Sequence, residues 1–103
     1  DYNHIGAGFL KSDGHCSFAP DGEWFVTDEN EGRTISKKLM VYNVRTNEGV
    51  VLGTFPMFER RYLGGDLRCD LHPRWNHTGD AICFDALDKN RTRQLHIATL
   101  KRR

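Results

Sequence analysis

The sequence predicts an all-β fold, and three observations predict it. First, one phrase occurs twice: His15-Cys16-Ser17-Phe18-Ala19-Pro20-Asp21-Gly22-Glu23-Trp24-Phe25-Val26 and His72-Pro73-Arg74-Trp75-Asn76-His77-Thr78-Gly79-Asp80-Ala81-Ile82-Cys83. The register is tight, since 72 − 15, 75 − 18 and 79 − 22 all equal 57. Second, the apolar residues fall in short runs punctuated by Gly, Pro, Asp and Asn, the pattern of strands joined by hairpins. Third, no stretch shows convincing helical apolar spacing. A repeat of this size means that each copy is one supersecondary unit needing neighbours to bury its faces.

In chain order, the first strand of each copy ends at Phe18 or Trp75. Pro20-Asp21-Gly22 then supplies a fixed φ, a self-bonding carboxylate and a positive-φ glycine for a tight turn; Asn76-His77-Thr78-Gly79 does so without proline. The apolar runs Trp24 to Thr27 and Ala81 to Phe84 predict second strands covered on both faces. Each phrase closes on an aspartate, Asp28 or Asp85. Leu39 to Val44 is a third strand, matched by Leu95 to Leu100, and Arg45 to Gly49 is a polar turn before a fourth strand at Val50-Val51-Leu52. Trp24, Phe25, Val26, Leu39, Val41, Ile82, Phe84, Leu95 and Ile97 are the expected core.

Four antiparallel strands joined by short hairpins, stacked on a similar unit, describe a β-propeller blade. The expected architecture is therefore a β-propeller segment of about two four-stranded antiparallel blades. Residues 14–57 form a complete blade, 58–70 an inter-blade loop, and 71–100 a second blade lacking its last strand. Tyr2 to Leu10 is the candidate last strand of a preceding blade. Rings of this kind have 4–8 blades, and two alone leave edges and faces open. The chain is expected to belong with the remaining blades of a longer propeller, or to be completed by a second copy of itself. A self-contained two-sheet domain is the alternative.

Composition excludes more than it identifies. Fifteen Lys and Arg against 14 Asp and Glu leave a formal charge of +1, so no nucleic-acid partner is expected, and Lys101-Arg102-Arg103 reads as a solvated end. No apolar run approaches the roughly 20 residues that span a bilayer. Three cysteines without a Cys-x-x-Cys spacing argue against a zinc site or a disulfide framework, although one disulfide is open. Cys16 and Cys83 belong to predicted strands and act as small hydrophobes, with Cys69 in a charged loop. Asn76-His77-Thr78 and Asn90-Arg91-Thr92 fit the glycosylation pattern and read as turns.

Chemistry should lie where the repeats depart from scaffold. His15 and His72 each open the first strand of a unit, which in a propeller is the innermost strand, so both imidazoles should face one channel mouth. Imidazole is a common metal ligand and a base near neutral pH; hydrogen bonding to neighbouring backbone is the plainer role. The connection Met57 to Asp70 exceeds the usual 4–6 residues, as binding loops often do. Its Arg60, Arg61, Tyr62 and Arg68 suit a carboxylate-bearing sugar, through guanidinium forks and an aromatic platform. A solvated loop whose arginines pair with Glu59, Asp66 and Asp70 is the alternative.

At these residues the chain resembles a known family. Gly14 to Trp24, Arg68-Cys69-Asp70-Leu71-His72-Pro73-Arg74-Trp75, Ile82-Cys83-Phe84-Asp85 and Arg93-Gln94-Leu95 are similar to the TolB-type propeller repeats of bacterial proteins, and most to oligogalacturonate-lyase-like propellers. The resemblance implies a seven-bladed ring in the cytoplasm or periplasm of a bacterium. It also implies β-elimination on an anionic uronic-acid oligosaccharide, with a manganese-like divalent metal held by histidines and a glutamine. Carried over residue by residue it reaches only His15 and His72, as metal ligands; together with the loop chemistry, His72 and Arg68 are the expected catalytic residues and Arg60, Arg61, Tyr62 and Arg74 the expected substrate-binding ones. The chain departs from that pattern: no second histidine closely follows His15, and its only glutamine, Gln94, belongs to a predicted third strand away from the channel. A non-catalytic propeller binding carbohydrate or protein, and a purely structural segment, are the competing functions.

Overall fold

A computed structural model describes residues 5–6, 8–10, 14–31, 35–64 and 67–100 of the 103. Among the described residues seven strands occur in the order β1 (Cys16–Phe18), β2 (Trp24–Glu31), β3 (Ser36–Asn43), β4 (Glu48–Pro56), β5 (Arg74–Trp75), β6 (Ala81–Leu87) and β7 (Arg93–Thr99), with a 3-10 turn at Arg60–Tyr62 before β5. They form two antiparallel meanders, β1-β2-β3-β4 and β5-β6-β7. The all-β expectation is thus realised, and between Cys16 and Leu100 a strand falls on each predicted run, with β3 and β4 longer than their apolar runs. Among the described residues no helix is long and apolar enough to cross a membrane.

The hairpins close with the chemistry the turn residues dictate. Asp21 Oδ1 accepts from the Glu23 amide at 2.9 Å, the Gly22 amide donates to Ala19 O at 2.9 Å, and Gly22 takes φ +72°. In the second sheet Asn76 Oδ1 accepts from the Asp80 amide at 3.1 Å and Gly79 takes φ +74°. Both asparagine triplets read as turns sit in turns: Asp88 Oδ1 accepts from the Asn90 and Thr92 amides, each at 2.9 Å. Asn43 Oδ1 closes the β3–β4 turn in the same way, taking the Arg45 and Thr46 amides.

The period-2 alternation of strands divides the first sheet into two buried faces. Val26 pairs across from Val41 and Asp28 from Leu39. Val26, Leu39 and Val41 join Ile82, Phe84, Ala86 and Leu87 of the second sheet in one core, with Met57, Cys69 and Leu71 of the connection between the sheets. On the opposite face Phe25 and Tyr42 lie 5.6 Å apart by ring centroid; Phe18 packs at a tilt against Phe25 and Phe9 against Tyr42. Gly49 makes room for that last contact, because a Cβ there would stand 2.7 Å from the Phe9 ring. The sheets are also tied at their first strands, where Trp75 Nε1 donates to Ser17 O at 2.8 Å.

Four expectations change. Leu95 and Ile97 are 59% and 65% exposed: β7 ends its sheet, and its core-directed positions are the alternate pair His96 and Ala98, which are half-buried. Trp24 is half-buried, and Ala81 to Phe84 is covered on one face only, with Ile82 and Phe84 buried and Ala81 and Cys83 half-buried. Cys69 is buried and Cys16 exposed, the reverse of the sequence reading, because the connection turns back into the core on either side of its charged stretch. Finally, part of the strand expected at Tyr2 to Leu10 lies outside the described residues. The rest is a turn in which the Phe9 and Leu10 amides donate to Gly6 O. Lys101 to Arg103 and Asp66 also lie outside the described residues.

Candidate functional site

The core-facing row of the first sheet runs directly into the site. Val26 and Asp28 share a face of β2, and Val41, Leu39 and Lys37 share a face of β3 by the same alternation. Toward one end of the sheets the row changes from apolar to ionic. The segment before β1 approaches β2 there so closely that a Cβ on Gly14 would lie 1.7 Å from Asp28 O. Only glycine permits this approach, and it fixes His15: the His15 amide donates to Asp28 Oδ1 at 2.7 Å, and its Nδ1 lies 3.4 Å from the same carboxylate.

On the side of the second sheet, Asp70-Leu71-His72 enters just before β5. Leu71 is fully buried and its carbonyl accepts from the Asp85 amide at 2.7 Å, so the flanking Asp70 and His72 are directed together away from the core. His72 is held at φ +41°, a left-handed conformation that costs a non-glycine residue on the order of 1–3 kcal/mol and tends to be kept where geometry matters for function. Arg74 clamps it, its guanidinium donating to His72 O at 2.7 Å.

These two segments bring the imidazoles of His15 and His72 into contact, ring centroids 4.2 Å apart. One donor atom from each of His15, Asp70 and His72 falls within 4.8 Å of the others. Beneath them Asp70 is shared. Its Oδ1 receives the ammonium of Lys37, and its Oδ2 lies 2.6 Å from Arg68 Nε and 3.8 Å from His72 Nε2. Burial pushes the Asp70 carboxyl up, but the Lys37 hydrogen bond and charge, joined by Arg68, outweigh it and leave the carboxyl below its ordinary value of 3.8. Lys37 and Asp70 side chains are 5% and 9% exposed, whereas Arg68 is 53% exposed. A cleft of about 60 Å³ opens here, lined among others by Gly14, His15, Asp28, Lys37, Arg68 and Asp70.

Two imidazoles and a carboxylate are the nitrogen and oxygen donor set that first-row divalent metals take. A carboxylate behind a ligating histidine, as Asp28 stands behind His15, is the usual means of orienting the ring. The donor chemistry therefore fits a divalent cation at His15, His72 and Asp70.

Of the residues singled out in the sequence, His15, His72 and Arg68 come together. Arg74 is adjacent, engaged with the His72 carbonyl and 3.9 Å from Asp85. Arg60, Arg61 and Tyr62 are not among the residues lining the cleft. Arg61 is engaged locally, 2.8 Å from Glu59 and hydrogen-bonded to the Tyr62 hydroxyl; the Glu59 charge chiefly raises its already high pKa. Gln94 is exposed on β7. Sequence reasoning missed Lys37, which precedes the apolar run that marks β3, and gave Asp70 no role beyond pairing with an arginine. Extending the Leu39–Val41 alternation two residues back would have found the first, and the Asp-x-His spacing the second.

The fold and this cluster define an all-β protein of two antiparallel meanders sharing one core, with a histidine–carboxylate site where the sheets meet. Comparison with models of known protein families, with curated proteins and with solved structures gives no match.

Proposed function

We propose that the chain is a β-propeller segment of the TolB type whose site binds a divalent cation and a uronic-acid sugar, and that it acts on oligogalacturonate-type substrates by β-elimination. The observation that carries this reading is the convergence of His15, His72 and Asp70 from the equivalent starts of two repeated units. The third donor, sought as a second histidine or a glutamine, is supplied here by Asp70.

In this reading His15 and Asp70, with His72 where it is not the base, would hold the cation, which would supply positive charge against the substrate carboxylate and the enolate that develops from it. Arg68, whose Nε lies 2.6 Å from Asp70 Oδ2, offers a guanidinium fork to the same carboxylate. The cleft is large enough for a carboxylate but not for a sugar ring, so the ring lies across its mouth. An imidazole removes the proton from C5; the electron pair becomes the C4–C5 double bond, and the glycosidic oxygen leaves C4 with its bonding pair and takes a proton from solvent. His72 is assigned either to the cation or to this proton, since one nitrogen cannot do both. Arg74 acts as a positioning residue through the His72 backbone, and Arg60, Arg61 and Tyr62 are left to contact sugar units beyond the cleft.

A second reading is favoured by the Lys37 and Arg68 cations themselves: a module that binds anionic carbohydrate without turning it over. Manganese titration followed by the imidazole resonances separates the two. Joint broadening of His15 and His72 at sub-millimolar metal supports the lyase reading; broadening of neither removes the cation site and leaves the binding module.

A further inference from the structure

We infer that Asp70 is an exchange carboxylate that couples cation binding to the binding of a carboxylate-bearing ligand in the same cleft. This coupling rests on the cation site proposed above and adds to it a reason for ligand and cation to bind together.

The exchange point is a single atom. Asp70 Oδ2 is 2.6 Å from Arg68 Nε and is also the oxygen that faces His72 Nε2, at 3.8 Å. A cation held by His15, His72 and Asp70 draws on that oxygen and competes with the guanidinium for it. The two cations already on Asp70 differ in their freedom to respond. Lys37 is 5% exposed and bonded to the other oxygen, Oδ1, so it stays. Arg68 is 53% exposed and can swing toward the cleft mouth, where its fork suits a carboxylate.

Charge gives the direction of the coupling. Without added ions, Lys37, Arg68 and Lys38, which pairs with Glu29 at 2.9 Å, balance Asp28, Asp70 and Glu29 in and beside the cleft. A divalent cation adds two positive charges and releases the guanidinium, and an anionic ligand neutralises this excess. Conversely, a ligand carboxylate that draws Arg68 away leaves Oδ2 open to the cation. The effect must be reciprocal, because each partner changes the other's affinity by the same factor, typically about 5–150-fold.

Calorimetric titration of the chain with manganese(II) alone, with sodium D-galacturonate alone, and with each in the presence of the other measures this factor. Mutual tightening by at least about 5-fold is expected. In Arg68→Gln, an exposed substitution that spares the core, manganese alone should bind at least as tightly as in the parent, since its competitor is gone, and the mutual tightening should collapse. Persistence of the full factor in Arg68→Gln would mean that galacturonate simply ligates the bound cation, and would overturn the exchange. Manganese binding with no effect on galacturonate affinity would overturn the coupling but keep the cation site. Failure of manganese to bind would overturn both.

Discussion

Replacing Asp70 with asparagine tests the centre of the site through stability. The substitution removes the partner of a lysine that is 5% exposed while keeping the side chain's volume. Removing one member of a buried ion pair costs about 3–5 kcal/mol, mostly because a charge is left unpaired in low dielectric. The other cation on Asp70 adds little, since Arg68 is half exposed and such pairs contribute about 0–1 kcal/mol. Urea unfolding of the chain at pH 7 should therefore show a loss of about 3–5 kcal/mol for Asp70→Asn, against about 0–1 for Arg68→Gln. Combined with Lys37→Met, the Asp70→Asn loss should shrink well below the sum of the single losses, because no buried charge is then stranded. The pH dependence has a fixed sign. The folded Asp70 carboxyl lies below its ordinary value of 3.8, so its contribution is fully present above that value and is lost as pH falls through the folded value. The asparagine variant should lack this part of the acid transition. A loss below about 1 kcal/mol in Asp70→Asn, far short of the cost of a stranded buried charge, would show that Lys37 reaches water and would refute the buried pair.

Further outcomes are expected. Phe84 is 4% exposed and packs against Phe55 and His96, ring centroids 4.8 and 5.4 Å away; Phe84→Ala should cost roughly 3–5 kcal/mol in urea unfolding, and a loss under about 1 would mean that the two sheets do not share this core. Gly14→Ala should displace the segment before β1 from Asp28, read as a shift in the His15 ring resonances; unchanged resonances would contradict the close approach. Leu95→Ser and Ile97→Ser should each fall within about 0.5 kcal/mol of the parent, as surface changes do, whereas a core-sized loss would place β7 the other way round. Thiol alkylation of the folded chain should reach Cys16 first and Cys69 last. Burial raises the Cys69 thiol pKa and the nearby Arg93 only partly offsets it.

The order of strands was legible in the sequence because local rules set it. Asp21-Gly22 and Thr78-Gly79 can hardly be anything but turns, and the apolar runs beside them have the length and β-branched or aromatic content of strands. The 57-residue recurrence further placed His15 and His72 at equivalent starts, so their meeting could be expected, though not the 4.2 Å that separates their rings. What the chain could not announce locally is which face of a strand finds a partner. Leu95 and Ile97 alternate as a buried strand should, yet β7 ends its sheet and the face bearing them is uncovered in the described structure. Lys37 looks like a solvated lysine at the head of a strand, and becomes the buried partner of Asp70 only because a segment 33 residues away folds back over the end of β3. Backbone pattern is set by neighbours along the chain; burial and charge pairing are set by neighbours in space, and only the tertiary structure supplies those.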